Sequence, residues 1–357
     1  MLPGDIGAEL AVAITAAVAA GELPPAAAGL AGAAGTWRPP PGEAPGAYSS
    51  SLPFRLAAES GRGARDIAGL LAARLRGSSW ISGAGVTGPG YLTVTVSPDA
   101  LARLAVRVAL AGPACARSDA LRGRTVSAPA DADLATAATW AQAHERCIAV
   151  VSGRLAAAAG AKVTANHDTK RMSRSTAARQ RHQGPAGLAI AFAGPDAVRY
   201  ALARIPPGRA VAIDATQSVK HVLGNPFYAV SFAHADASAI SRRAAGLGLS
   251  RGEPAGFRPR SLACPTERTL LAVMSWLPER VAGAARRGHP HELARYAEQL
   301  AGAYLGVRDA CPALPSGGRA ASADPRTAAA RLWLADAARA ALAAALGLLG
   351  VRPPDRL

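Results

Sequence analysis

Apolar residues recur along this chain at two spacings, and the switch between them marks where the folding mode changes. In residues 64–76, Ala68, Leu71 and Leu75 fall three and four apart, which lines one face of an α-helix. Residues 91–96 read Tyr-Leu-Thr-Val-Thr-Val, a period-two alternation of β-branched and apolar positions that predicts a strand. Near the end, Leu342, Leu346 and Leu349 recur at four and three with Leu332 on the same stripe, so these leucines are read as core. Alanine-rich windows at 8–20, 64–76, 150–160 and 326–349 add intrinsic helix propensity. Prolines set the breaks. Residues 1–35 read as helix interrupted at Pro24-Pro25, and Trp37 to Gly42 as a loop, because consecutive prolines cannot continue a helix. Residues 48–56 read as a strand or short helix, Ala149 to Ala159 as a helix ending at Gly160, and residues 209–350 as a bundle of four to six helices.

Composition narrows the kind of core. Half of the 357 residues are apolar but only 4% are aromatic, so the cores are expected to be close-packed Ala, Leu and Val helices. The formal charge of +16 points to a polyanionic partner, most simply nucleic acid. Nearly all of the basic residues are arginines, with Lys162, Lys170 and Lys220 the only lysines. Arginine suits bidentate phosphate contact, although a GC-rich coding sequence raises the same residue. Cys115, Cys147, Cys264 and Cys311 form no CxxC pair, so reduced thiols and no metal site are expected. Cys147 follows His144 by three residues on a helix, with no third partner, and reads as core. The apolar run at 6–20 is preceded by Asp5 and interrupted by Glu9. Neither a signal peptide nor a membrane span is expected, which places the protein in the cytoplasm.

Gly83-Ala84-Gly85-Val86-Thr87-Gly88 fits a GxGxxG pattern, but the glycines precede a strand instead of opening a helix. A dinucleotide fingerprint needs the helix N-terminus to hold pyrophosphate. The segment is therefore read as a turn into residues 91–96.

Further along, an ordered series of short words appears. Gly194-Pro195-Asp196-Ala197-Val198-Arg199-Tyr200 precedes Asn225-Pro226-Phe227-Tyr228-Ala229-Val230-Ser231-Phe232-Ala233-His234-Ala235. Read as a helix, the second word puts Phe227, Val230 and His234 close to one flank, with Tyr228 and the alanines allowing close approach of another helix, and Asn225 as its N-cap. Then come His289-Pro290-His291-Glu292-Leu293-Ala294-Arg295-Tyr296, Leu300-Ala301-Gly302-Ala303-Tyr304, Ala310-Cys311, Arg331-Leu332, Ala337-Ala338-Arg339 and Gly347-Leu348-Leu349-Gly350-Val351. This series resembles the C-terminal half of class I arginyl-tRNA synthetases, including their DALR-type anticodon-binding domain. Ala47-Tyr48, Arg55-Leu56-Ala57, Asp66-Ile67-Ala68 and Gly88-Pro89-Gly90-Tyr91-Leu92 are similar to the N-terminal additional domain of that family. Ser49-Ser50-Ser51 departs from its usual Asn-containing segment.

The resemblance implies where chemistry should sit. Such enzymes activate their amino acid on a Rossmann-type domain with a HIGH-type motif and a KMSKS-type loop, whose charges stabilise the transition state. Val126-Ser127-Ala128-Pro129 and Leu134 have the frame of the first signature, but Ala135, Thr136, Ala137 and Ala138 stand where two histidines and a glycine belong. Lys170, Arg171, Met172, Ser173 and Arg174 resemble the second signature and follow Val163 within about ten residues, fewer than one parallel crossover needs. No catalytic residue and no cofactor is therefore expected.

Together these readings predict a mostly helical α+β chain. Its expected parts are an α/β module at 1–98, a truncated Rossmann remnant and linker at 99–193, and an all-α DALR-type bundle at 194–357. The expected function is tRNA binding, with tRNA-Arg as the implied partner. The groups expected on the outside of the bundle are Arg295, Tyr296, Tyr304, Arg308, Arg331 and Arg339, able to stack bases or pair phosphates. Arg308 stands where the family usually carries a second aromatic. The rival expectations are ligase chemistry retained in altered form or with a partner, and a helical module that binds protein.

Overall fold

The computed structural model describes residues 2–33, 37–40, 42, 45–165, 184–314 and 324–357. In chain order the elements begin with α1 (Pro3–Ala19), β1 (Trp37–Arg38), β2 (Ala47–Ser50), α2 (Leu52–Ser60), α3 (Ala64–Leu75), β3 (Ile81–Thr87) and β4 (Tyr91–Val96). They continue with α4 (Pro98–Ala102), α5 (Leu104–Ala111), β5 (Thr125–Ala128), α6 (Trp140–Ala158), β6 (Lys162–Ala165), α7 (Pro185–Ala193), α8 (Pro195–Arg204) and α9 (Ala215–Ser218). The last are α10 (Pro226–Gly246), α11 (Pro265–Ser275), α12 (Leu277–Arg287), α13 (Pro290–Ala310) and α14 (Pro325–Leu348). The fold is α+β and mostly helical, as the periodicities predict. Among the described residues no helix is long and apolar enough to cross a membrane.

Two compact units form, and they do not follow the three sequence segments. The first unites Met1–Leu104 with Gly256–Trp276, the second Ala105–Ala255 with Leu277–Leu357.

In the first unit an antiparallel sheet of order β1-β2-β4-β3 packs on α2 and α3. The alternation in β4 buries Leu92, Val94 and Val96, opposite Ile67, Leu71 and Leu75 of α3, all at most 3% exposed. The glycine-rich word, expected as a turn, lies in β3 as far as Thr87, and only its last residue, Gly88, is in a turn. Its chain reversal comes at Gly88-Pro89-Gly90, where Gly88 (φ +53°) and Gly90 (φ +144°) have positive φ. Residues 48–56 are both things expected of them, the end of β2 followed by α2. The later segment belongs to this unit through a buried hydroxyl pair. Tyr48 Oη donates to Ser275 Oγ at 2.8 Å, and the Tyr48 ring lies 5.2 Å from that of Trp276. Burial pushes the Tyr48 phenol up to about 12.

In the second unit β5 and β6 pair in parallel, register Thr125↔Lys162 to Ala128↔Ala165, with α6 as their crossover. Thr139 caps α6 by accepting from Gln142 N. The helix comes down on β5 so closely that a Cβ at Gly153 would meet Ala128 Cβ at 2.6 Å. Cys147 is core, as expected, and His144 is buried beside it. The thiol donates to Arg199 O at 3.7 Å, the His144 ring bonds Ile205 O at 3.1 Å, and burial pushes the thiol up to about 12.

The longest helix of this unit, α14, is also its most thoroughly buried. Its alanines and leucines are buried on nearly every side, from Ala328 and Ala330 through Leu332, Ala337 and Ala341 to Leu346. Such a helix must be central, because a stripe buried all round has no solvent face. It packs on α10 and α13.

Two glycines separate close approach from mere permissiveness. Gly153→Ala forces Ala128 aside and should destabilise by about 1–3 kcal/mol, the usual cost of overpacking. Gly302 lies in α13 with open space around its Cβ position, so Gly302→Ala should stabilise by roughly 0.5–1 kcal/mol through helix propensity. Urea unfolding midpoints of the two variants should therefore move in opposite directions.

Candidate nucleic-acid interface on the helical unit

The most organised surface of the second unit begins at Asn225. Its Oδ1 accepts from Phe227 N at 3.1 Å and so caps α10, while its Nδ2 donates to Ser218 O at 3.0 Å and Lys220 O at 2.9 Å. One amide thus starts the helix and ties down the loop before it. Pro226 at the first helical position needs no N–H partner.

From that start α10 presents two flanks. Val230, Ala233, His234, Ala237 and Ser238 turn inward, none more than 6% exposed. Phe227 packs its ring 5.8 Å from that of Tyr200. Tyr228 and Phe232, one turn apart, lie on the outer flank and are half-buried. Their rings stack at 5.8 Å and 21°, and the exposed His221 ring stacks on Tyr228 at 5.2 Å and 14°. At the other end the Arg308 guanidinium sits 5.3 Å over Phe232. Four planar groups from α10, α13 and the loop before α10 thus form one column. Tyr228 is a member of this column instead of a spacer for a neighbouring helix.

An acidic anchor positions the cationic end. Asp236 accepts from Tyr304 Oη at 2.8 Å and pairs with Arg243 at 3.6 Å and Arg308 at 3.8 Å. Tyr304 is 2% exposed and Tyr296 is 3% exposed, so neither ring is on the outside as expected. The reason is helical phase: both belong to the buried stripe of α13 that also carries Leu293, Ala297 and Leu300. Burial holds both phenols well above their ordinary range.

The four expected arginines do not converge. Arg295 and Arg308 are exposed but project about 140° apart around α13, given roughly 100° per residue. Arg331 is half-buried and donates to Pro312 O at 3.1 Å. Arg339 lies 4.0 Å from Asp336, which also accepts from Ser241 Oγ at 2.7 Å and Arg251 at 2.5 Å. Arg251 in turn covers the buried Trp333 ring at 4.1 Å. Only Arg308 joins the aromatic column.

The inner flank of α10 holds the chain's last residues. His234 Nδ1 bonds Pro354 O at 2.8 Å, Ser238 Oγ donates to Asp355 Oδ1 at 3.1 Å, and Arg242 Nη2 donates to Asp355 O at 3.0 Å. These donors are spaced four residues apart, one helix ridge gripping one extended strand of backbone. From α8, Arg199 Nη1 donates to Gly350 O at 2.7 Å.

The segment framed as the first signature is a capped turn. Ala135 N donates to Asp133 Oδ1, Ala138 N to Gln142 Oε1, and Arg146 Nη1 to Thr136 Oγ1. Ala137 is 1% exposed, so a buried methyl occupies a position where the resemblance implies a polar signature residue. Lys170, Arg171, Met172, Ser173 and Arg174 lie outside the described residues. A cavity of about 320 Å³ beside Asn225 is lined by Tyr200, Arg204, Asp214, Lys220 and Phe227, among others. Among the described residues His289, His291 and Glu292 bring potential metal ligands together.

Residues 230–357 match the DALR anticodon binding domain, and residues 9–96 match the arginyl tRNA synthetase N terminal domain. The chain is related to the arginyl-tRNA synthetases. Over 164 residues it is 40% identical to an arginine–tRNA ligase of Clavibacter sepedonicus, covering 46% of this chain and 28% of that relative. Identity to the arginine–tRNA ligase of Kineococcus radiotolerans is also 40% over 164 residues, 46% of this chain and 29% of the relative. Among solved structures, Thermus thermophilus arginyl-tRNA synthetase aligns with 60% of this chain and 32% of its own, at 22% identity and a TM-score of 0.38. This synthetase-related chain therefore spans less than a third of the length of the curated relatives it matches. The resemblance carried by the ordered words is confirmed at both ends. Composition could not have revealed the column, because His221 lies outside α10 and Arg308 is far away in sequence; the i, i+4 spacing of Tyr228 and Phe232 was its one legible trace.

His234 supplies a pH test of the inner flank. Burial holds its imidazole below the ordinary value, against a smaller opposing pull from the Pro354 carbonyl and Asp355. The unfolded chain then binds more protons than the folded one, so stability should fall as pH drops below about 6.5. His291, also lowered chiefly by burial, acts in the same direction. His234→Gln keeps a donor for Pro354 and should flatten, without abolishing, the loss of thermal stability between neutral and mildly acidic pH.

Proposed function

We propose that this chain binds tRNA, with tRNA-Arg as the preferred partner, and does not aminoacylate it unaided. The observation that carries the reading is the column of His221, Tyr228, Phe232 and Arg308, which lies within and beside the segment matching an anticodon-binding family. Unpaired bases are held by stacking on aromatic and guanidinium planes, and their phosphates by neighbouring cations. Arg243 and Lys220 lie near its two ends, and the formal charge of +16 supplies long-range attraction for a polyanion. The N-terminal unit, matching a synthetase N-terminal domain, is proposed as a second contact on the same RNA. Arg295, Arg331 and Arg339 would then act as phosphate contacts away from the stack. The compartment on this reading is the cytoplasm.

Loss of self-sufficient catalysis is supported by Ala135–Ala138 in the first-signature frame and by the short path from β6 toward Lys170. A parallel pair of strands with one crossover is far smaller than a nucleotide-binding domain. A second reading has its own support, since the relatives matched at 40% identity are ligases. On that reading a separate partner would provide the missing catalytic scaffold. Arginine-dependent ATP–pyrophosphate exchange by the purified chain would overturn the first reading and favour retained ligation.

Binding is tested by fluorescence anisotropy with tRNA-Arg and a non-cognate tRNA at two salt concentrations. Tyr228→Ala and Arg308→Ala should each weaken binding by about 1–3 kcal/mol, the usual worth of one base stacked on a side chain. Arg308→Ala should also lower the salt slope by roughly 0.7–0.9, the share of one phosphate contact. Wild-type affinity that is absent or indifferent to salt would remove the proposal; intact affinity in both variants would place the interface elsewhere.

A further inference from the structure

We infer that His289, His291 and Glu292 form a binding site for a divalent transition-metal ion of the zinc class. Nothing in the tRNA reading uses these three side chains, and the inference does not rest on it. They are brought together by the tight passage from α12 to α13. Gly288 takes φ +66°, His289 N returns to Ala284 O at 2.9 Å, and Pro290 starts α13 at once. One turn of chain therefore carries imidazole, imidazole and carboxylate.

The donor atoms already approach a shared centre. One ligand atom from each residue lies within 4.8 Å of the others. His289 Nδ1 and Glu292 Oε1 are 3.3 Å apart, and the two imidazole centroids are 5.2 Å apart at 46°. Ligands around one zinc ion at about 2.0–2.2 Å lie roughly 3–4 Å from one another. Closing the set takes a small rotation of the half-buried His289 and Glu292 side chains toward the buried His291. His289, at the N-cap position, caps no backbone N–H with its ring, so capping does not explain it.

His291 is the independent pointer. It is 9% exposed, yet its Nδ1 is buried with no hydrogen-bond partner among the described residues. Buried polar atoms in folded proteins are nearly always partnered, and an orphan calls for an explanation such as an ion or ordered solvent. Two neutral imidazoles and one carboxylate are a borderline donor set. It suits zinc, cobalt or nickel and discriminates against magnesium and calcium, which take all-oxygen ligands. Three protein ligands leave a fourth position for water.

Opposing charges set the affinity. Arg287 forks onto Glu292, with Nε donating to Oε1 at 2.9 Å and Nη2 to Oε2. Arg286, Arg295 and the positive end of α13 add to the repulsion of a cation. An incoming ion must draw at least one oxygen of Glu292 from Arg287, so binding in the micromolar range is expected instead of the tight grip of a structural zinc site. Occupancy would release one arm of the Arg287 fork, exchanging an internal ion pair for a free guanidinium donor.

The test uses the full chain, freed of metal with chelator and titrated with cobalt(II) under reducing conditions. The visible ligand-field absorption should saturate at one ion per chain, and zinc should displace it. His289→Gln and Glu292→Gln, at half-buried positions, should each weaken cobalt binding by at least roughly ten- to a hundredfold, the loss seen when even an outer-shell partner of a metal ligand is removed. Arg287→Gln should tighten it several-fold by removing the competitor, an effect that unfolding cannot imitate. Circular dichroism checks that each variant is folded. Absence of the cobalt band, unchanged binding in His289→Gln, or a near-ultraviolet band from thiolate coordination would each overturn the site.

Discussion

Close contact between alanine-rich helices is the constraint on which the helical unit depends. With few aromatic rings available, burial is achieved by bringing backbones together, and α14 lies at the centre with apolar residues on nearly every side. α10 and α13 can approach it because Ala233, Ala237, Ala294, Ala297 and Ala301 present no bulk at their inward positions. Gly153 against Ala128 repeats the same device in the βαβ element. Such packing consumes small residues and buries few rings, Tyr200, Tyr296, Tyr304 and Trp333 among them. Tyr228 and Phe232 instead lie half-buried on the outer flank of α10. The inner flank is taken by small residues and by His234 and Ser238, which bond Pro354 and Asp355.

Polar groups then select one arrangement among the many that small residues permit. Four buried or part-buried bonds join segments distant in sequence: Tyr48 to Ser275, His234 to Pro354, Tyr304 to Asp236 and Ser241 to Asp336. Leaving any one of these donors or acceptors without its partner costs more than the bond contributes when made. This asymmetry penalises slipped helix registers that alanine packing alone would tolerate. Asp236 shows how stability and a surface feature share one group, since the carboxylate that receives the buried Tyr304 hydroxyl also orients Arg308 over Phe232.

The parallel pair β5–β6 with its α6 crossover is a small element held in place by its neighbours. Leu121, Ala156, Ala159 and Ala161 bury a minor core together with Ala282 of α12. The pair is thus anchored to the helical bundle instead of to a larger sheet. This explains how so short an α/β element persists in a chain that covers less than a third of its relatives. Its geometry supports packing; the chemistry of the wider family is proposed to be absent from it.

Much was legible in the sequence because it is local. Period two in residues 91–96, the leucine spacing of α14, proline boundaries and the Asn225 cap all arise within a few residues, where backbone sterics and propensity decide. The ordered words determined kinship with the arginyl-tRNA synthetases at both ends. What needed the tertiary structure is everything set by helix rotation and by long-range pairing. Tyr296 and Tyr304 read as surface groups, but their phase on α13 turns them into the core. Residues 256–276, contiguous in sequence with the bundle, join the N-terminal unit through Ser275 and Trp276. The column of His221, Tyr228, Phe232 and Arg308 exists only because α13 crosses α10 where Asp236 can hold the arginine. A sequence records which face each residue occupies on its own helix; which neighbour meets that face is decided by packing, and that decision made the site.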